Sequence, residues 1–146
     1  MRAVQAHVNV ITLGVRDLER SLRFYRQLGM SSPGIVGTEY VGDEREPGGG
    51  AAMFTLGNGL ILSLYGRADL AKDAGIPADR VAGSPMSLGW FVDSRAEVDS
   101  ALELARTAGG SLVHSPRQRP WGIYAGYFAD PDDHLWEVVF FEDRAG

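Results

Sequence analysis

The chain has 146 residues, 45% of them hydrophobic, with a formal net charge of -5 and no cysteine. This length fits one ordinary domain or two small intertwined modules with a real core, and the apolar fraction excludes compositional disorder. The missing cysteines exclude disulfide scaffolds, thiolate metal sites and cysteine nucleophiles, and the acidic balance argues against a nucleic-acid partner because the 14 basic residues are scattered rather than striped.

Val8 to Val15 is β-branched and apolar, which predicts a first strand. Arg16-Asp17 then opens a helix whose apolar residues Leu18, Leu22, Tyr25 and Leu28 share one face, with Gly29 placed for a left-handed cap. Ser31 to Gly50 is loop-rich, with one short strand expected around Ile35 to Val41. The end of that stretch, Gly42 to Gly50, combines glycines and charges that have little to bury, and a mobile lid is expected there. Two strands follow, Ala51 to Leu56 and Leu60 to Tyr65, about a Gly57-Asn58-Gly59 turn. Arg67 to Pro85 reads as a linker with one short helix near Ala68 to Ala74.

After the linker the pattern begins again. Ser87 to Val92 is a strand, and Ser94 with Glu97 three residues on forms a capping box for a helix over Arg95 to Ala108. Val98, Leu102 and Ala105 make its inner face, and Gly109-Gly110 closes it. Ser111 to His114, Ile123 to Phe128 and Leu135 to Phe141 complete the strands. Val15 and Val92 each end a strand just before a helix, and Phe54 and Phe128 each precede a turn and a terminal apolar strand, at nearly the same spacing. The chain therefore reads as a repeat of pattern more than of letters, β-α-β-β-β twice over: residues 1–66, a linker at 67–85, and residues 86–146.

The closing segment carries chemistry that its residues alone reveal. Asp130-Pro131-Asp132-Asp133 is turn chemistry, with proline fixing φ and aspartates bonding local amides. Strand alternation after it puts Leu135, Glu137 and Val139 on one face, and a carboxylate flanked by apolar residues needs a partner, a metal or a ligand if buried.

Two stretches are specific. Leu13-Gly14-Val15-Arg16-Asp17-Leu18-Glu19-Arg20-Ser21-Leu22-Arg23-Phe24-Tyr25 resembles the opening strand and helix of the vicinal oxygen chelate superfamily. Tyr127-Phe128-Ala129-Asp130-Pro131-Asp132-Asp133-His134-Leu135-Trp136-Glu137-Val138 resembles its closing hairpin. One departure is Asp133, which stands where that turn usually has glycine, so a left-handed backbone there carries some strain. The superfamily includes glyoxalase I, extradiol dioxygenases, fosfomycin-resistance enzymes and bleomycin-binding resistance proteins. The resemblance implies an α+β fold in which two βαβββ modules form a curved, barrel-like mixed sheet around a concave cavity.

The resemblance also locates a metal site to test. Metal-dependent members place one ligand on the first and last strand of each module, usually His or Gln and then Glu. The matching positions here are Val10, Ser63, Ser87 and Glu137, of which only Glu137 is a good ligand for a divalent cation. His7 and His134 each lie three residues from a ligand position and so point elsewhere, and His114 is alone beside Pro116 and Arg117. All three read as surface or turn histidines, so no metal and no cofactor are expected.

The cavity without a metal is expected to hold a small, aromatic organic molecule. Trp90, Trp121, Tyr124, Tyr127, Tyr65 and Tyr40 supply aromatic surface, with Trp90 read as core packing and Trp121 and Tyr124 as pocket lining or core alike. The expected ligand-binding residues are Val10, Ser63, Tyr65, Ser87, Arg119, Trp121, Tyr124 and Glu137. The alternative is a lyase, isomerase or hydrolase with Glu137 as general base and Tyr124 or Arg119 polarising an oxygen, and a metal-dependent glyoxalase or dioxygenase ranks below both. Uncovered sheet faces and edges predict a homodimer. Met1 to His7 lacks the apolar core of a signal peptide and no run approaches membrane-spanning length, so a cytoplasmic location with no membrane partner is the default expectation.

Overall fold

The architecture, taken from a computed structural model that describes residues 5–82 and 86–142, is α+β. A first module contains β1 (Val10–Val15), α1 (Leu18–Gln27), β2 (Ile35–Val36), β3 (Ala51–Thr55) and β4 (Ile61–Gly66). The linker folds as α2 (Arg67–Ala74) and a 3-10 turn at Ala78–Val81, and its residues 83–85 lie outside the described residues. The second module repeats the order: β5 (Ser87–Phe91), α3 (Arg95–Thr107), β6 (Ser111–Arg119), β7 (Ile123–Ala129) and β8 (Leu135–Phe141). The sheets run β1-β4-β3-β2 and β5-β8-β7-β6, and in each the first and last strands of the module are parallel neighbours. The two sheets are not hydrogen-bonded to each other, so the described residues form an open pair of sheets rather than a closed barrel.

The helices start where the sequence places their caps. Asp17 Oδ1 accepts from the Arg20 amide at 3.1 Å, and Ser94 Oγ accepts from the Glu97 amide at 3.1 Å. Glu97 in turn reaches back to the Asp93 amide, which satisfies a second free donor. Gly29 and Gly109 follow the helices with φ of 97° and 111°, a region that side chains avoid. On α1, Glu19, Arg23 and Gln27 face outward, while Leu22, Phe24 and Tyr25 are buried.

A single apolar core spans both modules. Tyr25 packs against Phe54 of its own sheet at 6.0 Å and against Trp136 of the other at 5.9 Å, while Phe24 meets Phe128 at 6.2 Å. Helix α1 is thus seated between the inner faces of the two sheets. Each of these buried aromatics contributes about 2–3 kcal/mol of transfer energy, so neither module presents its inner face to water.

A buried polar cluster fixes the same seam. Asp132 Oδ1 accepts from the amide and Nε of Arg16, both at 3.0 Å, and from Arg20 Nη2 at 3.4 Å, while Oδ2 takes the Ser21 hydroxyl. Burial alone would raise the Asp132 carboxyl, but Arg16, Ser21 and Arg20 outweigh it and hold it below the ordinary 3.8. Asp130 accepts from the Tyr25 hydroxyl at 2.6 Å and from His134 Nδ1 at 2.8 Å, and Trp136 Nε1 donates to the Tyr25 oxygen. Burial and the Asp130 charge push the Tyr25 hydroxyl well above its usual 10. His134 is therefore a buried structural partner and not a surface residue.

Three local expectations are corrected. The second strand is only two residues long, while β6 runs to Arg119 with register shifts at Leu112/His114 and His114/Arg117 that absorb Pro116. The loop from Gly42 to Gly50 is not free. Gly48 N–H donates to Asp69 of α2 at 2.9 Å, the Tyr65 hydroxyl donates to Gly48 O at 2.6 Å, and Asp43 caps two amides within the loop. Its glycines serve close approach: a Cβ on Gly49 would lie 2.5 Å from Gly37 O.

Candidate functional site

Strand alternation sorts every site residue onto a face. On β8, Trp136 and Val138 join the core, which turns Leu135, Glu137 and Val139 to the other face, where Val139 is itself buried and Leu135 and Glu137 are half-buried. The register then lines up a row across three strands, Gly89 on β5, Glu137 on β8 and Tyr127 on β7. Ser87 stands in the next row with Leu135 and Ala129, and Arg119, opposite Ile123, closes the same face at the other end. The first sheet shows the matching rows: Val10 beside Ile61, and Thr12 beside Ser63 beside Met53. Val10 and Met53 are 45% and 48% exposed and Thr12 is open, whereas Ser63 between Thr12 and Met53 is buried at 5%.

Tyr127 is the residue that sequence reading left out of the site. Burial and the Glu137 carboxylate, which also accepts from it, push the Tyr127 hydroxyl above its usual 10, against the opposing pull of Arg119. The phenol thus stands between an acid and a guanidinium. Counting by two along β7 carries the signal, because Tyr124, Gly126 and Phe128 share the inner face and Tyr127 takes the outer one. Tyr124 accordingly lies on the helix side. Its hydroxyl donates to Asp99 of α3 at 2.7 Å, and the Arg95 guanidinium sits 4.8 Å from its ring centre. Tyr65 lies on the outer face of β4, with its hydroxyl committed to the Gly48 carbonyl. Trp121 is 83% exposed in the turn after Arg119, with a left-handed backbone at φ 66°.

The donor set at the four matching positions does not fit a divalent cation. Val10 offers none, Ser63 and Ser87 offer neutral hydroxyls, and only Glu137 brings charge. Among the described residues no three His, Asp or Glu side chains gather where an ion could be held. The histidines are engaged elsewhere, His7 with the Gln5 carbonyl, His114 with Arg117 and Ser115, and His134 with Asp130. Val10 and Ser63 belong to the first sheet and Ser87 and Glu137 to the second, so each sheet carries half of the set. A crevice of about 170 Å³ between the two sheets is lined by Ile11, Ile61, Leu62, Leu88 and Trp136 and reaches Ser87 and Gly89 of β5.

Paired βαβββ modules, each with its first and last strands parallel, define the class of this protein. The chain belongs to the Glyoxalase/Bleomycin resistance protein/Dioxygenase superfamily, whose description matches residues 6–138. It is similar to a glyoxalase-related enzyme from Fulvimarina pelagi, at 32% identity over 93% of this chain and 88% of that one, with a TM-score of 0.76. A glyoxalase/bleomycin resistance protein/dioxygenase from Nocardioides shares the fold at 24% identity, covering 98% and 88% of the two chains, with a TM-score of 0.72. So does the genomically encoded fosfomycin resistance protein from Listeria monocytogenes, at 20% identity, 96% and 94% coverage and a TM-score of 0.62. No curated protein matches. Among the described residues no helix is long and apolar enough to cross a membrane.

Proposed function

We propose that this chain binds a small, aromatic organic molecule on the outer faces of its sheets, without a resident metal ion, and that two copies pair to enclose it. The observation that carries the reading is the composition of those faces. Val10 and Met53 stand open on the first sheet, and Phe91 and Trp121 are exposed on the second, whose outer face carries Ser87, Glu137, Tyr127 and Arg119. Apolar walls with a few oriented polar groups are what small-molecule sites require, and planar ligands stack on exposed aromatic rings. Each sheet holds only half of the matching positions, and β1 and β5 are open edges, so a second copy of the chain completes the cavity. The protein then acts as a cytoplasmic homodimer with no nucleic-acid partner.

The Tyr127–Glu137 pair favours a second reading, in which Glu137 is the general base of a lyase, isomerase or hydrolase. The metal-dependent reading lacks its donors. Isothermal titration with Zn, Ni, Mn and Fe ions, beside light scattering, tests the proposal. The expected outcome is a dimer with no stoichiometric site tighter than about micromolar. A tight metal site would restore the metalloenzyme reading, and a strict monomer at micromolar concentration would remove the shared cavity.

A further inference from the structure

We infer that the molecule taken by this site is an organic acid, its oxyanion held by Arg119 while a hydroxyl or other polar hydrogen meets Glu137; the inference rests on the outer faces being a binding site. Arg119 ends β6 opposite Ile123, on the face that carries Tyr127 and Glu137. Its position is unusual for a half-buried arginine, since among the described residues no carboxylate pairs with it. Neighbouring arginines are committed: Arg95 to Glu142 and Gln118, Arg117 to His114. Among the described residues Arg119 meets the Tyr127 phenol oxygen and no carboxylate, which leaves donors for a planar oxyanion that can take two at once.

The other groups set the orientation of such a ligand. Tyr127 separates the guanidinium from the Glu137 carboxylate, so an anion is drawn to one end of the row and repelled from the other. Beside Glu137, on the side away from Tyr127, stands Gly89, where an added Cβ would meet nothing closer than the Phe91 ring edge at 3.9 Å. That opening lets a ligand atom reach the carboxylate across the sheet. Two residues beyond Arg119, Trp121 keeps a left-handed backbone that non-glycine residues adopt at an energetic disadvantage. The fold retains this strain while leaving the indole 83% exposed in the turn that follows Arg119, where a planar body attached to the acid group can stack.

The test uses two matched pairs, 1-naphthoate with 1-naphthamide and octanoate with octanamide, titrated into the intact protein and followed by tryptophan fluorescence. Wild type is expected to bind an acid about tenfold or more tightly than its amide. In Arg119→Gln that preference should disappear, in Arg119→Lys it should survive in part, and the melting temperature of both variants should stay at the wild-type value. Equal affinity for acid and amide, or a preference untouched by Arg119→Gln, would overturn the inference while leaving aromatic binding intact. Preference for the acid in the aliphatic pair alone would uphold the inference and defeat the aromatic reading. Binding of none of the four compounds would overturn both.

Discussion

The closing hairpin carries carboxylates in two contrasting settings. Asp130 and Asp132, in the turn, are buried and fully partnered, one by Tyr25 and His134 and the other by Arg16, Arg20 and Ser21. Glu137, a few residues on, is half-buried beside a tyrosine and an open glycine position. The same functional group is thus structural at one end of a strand and available at the other. What separates them is direction: the turn aims inward at the seam between modules, whereas strand alternation aims Glu137 at the outer face. Under the proposed function, the acid that the fold does not bury and ion-pair is the one that meets a ligand.

The largest effect expected from breaking this contrast is at Asp132. Asp132→Asn leaves Arg16 and Arg20 without their counter-charge and should lower the unfolding free energy by about 3 kcal/mol. Urea denaturation at neutral pH measures it, and a loss under about 1 kcal/mol would show that the cluster does not hold the seam. Acid sharpens the test. The folded Asp132 carboxyl lies below 3.8, so its contribution is present above that value and is lost as pH falls through the folded value. The gap between wild type and Asp132→Asn should therefore narrow below pH 3.8. A gap that widens on acidification would contradict the assignment.

Next in size is Tyr25→Phe. It removes the bond to Asp130 and leaves Trp136 Nε1 without its acceptor, and should cost about 1–2 kcal/mol by thermal or chemical denaturation. A neutral result would mean that water replaces the phenol at this seam.

How much of this could be read beforehand depends on what each residue reports. Periodicity fixed α1, because Leu18, Leu22 and Tyr25 can share a face only as a helix, and β8 runs over the expected Leu135 to Phe141. Asp133 takes the left-handed backbone that its place in the turn demands, at φ 67°. Illegible features were those decided by distant partners. The glycines of the 42–50 loop read as freedom, yet Asp69 and Tyr65 lie too far along the chain for their clasp to show locally. Pro116 and the polar letters of β6 hid a long bulged strand. The positions Val10, Ser63, Ser87 and Glu137 could be named by matching modules, but the Tyr127–Arg119 arrangement needed the cross-strand register.

A smaller effect, of opposite sign, is expected at Asp133. Asp133→Gly places the residue without a Cβ at a positive φ and should raise stability by about 0.5 kcal/mol, after the greater flexibility of the unfolded chain is set against the relieved strain. A lowered melting temperature would mean that the Asp133 side chain supports the turn.

The smallest effect on stability, and the sharpest test of the contrast, belongs to Glu137→Gln. It is the same change of acid to amide as at Asp132, made in a place where the fold has not built on the charge. Glutamine still accepts from Tyr127, and Gly89 beside it leaves room for either side chain. The unfolding free energy should therefore move by no more than about 0.5 kcal/mol. Ligand binding should respond in the opposite proportion. A molecule whose polar hydrogen meets the carboxylate loses a charge-assisted bond, worth about tenfold or more in affinity. Measuring both quantities on one preparation separates the roles, because a structural acid moves stability first and a binding acid moves affinity alone. If Glu137→Gln were to destabilise the chain as Asp132→Asn does, the two carboxylates would share one structural role, and the candidate site would lose its centre.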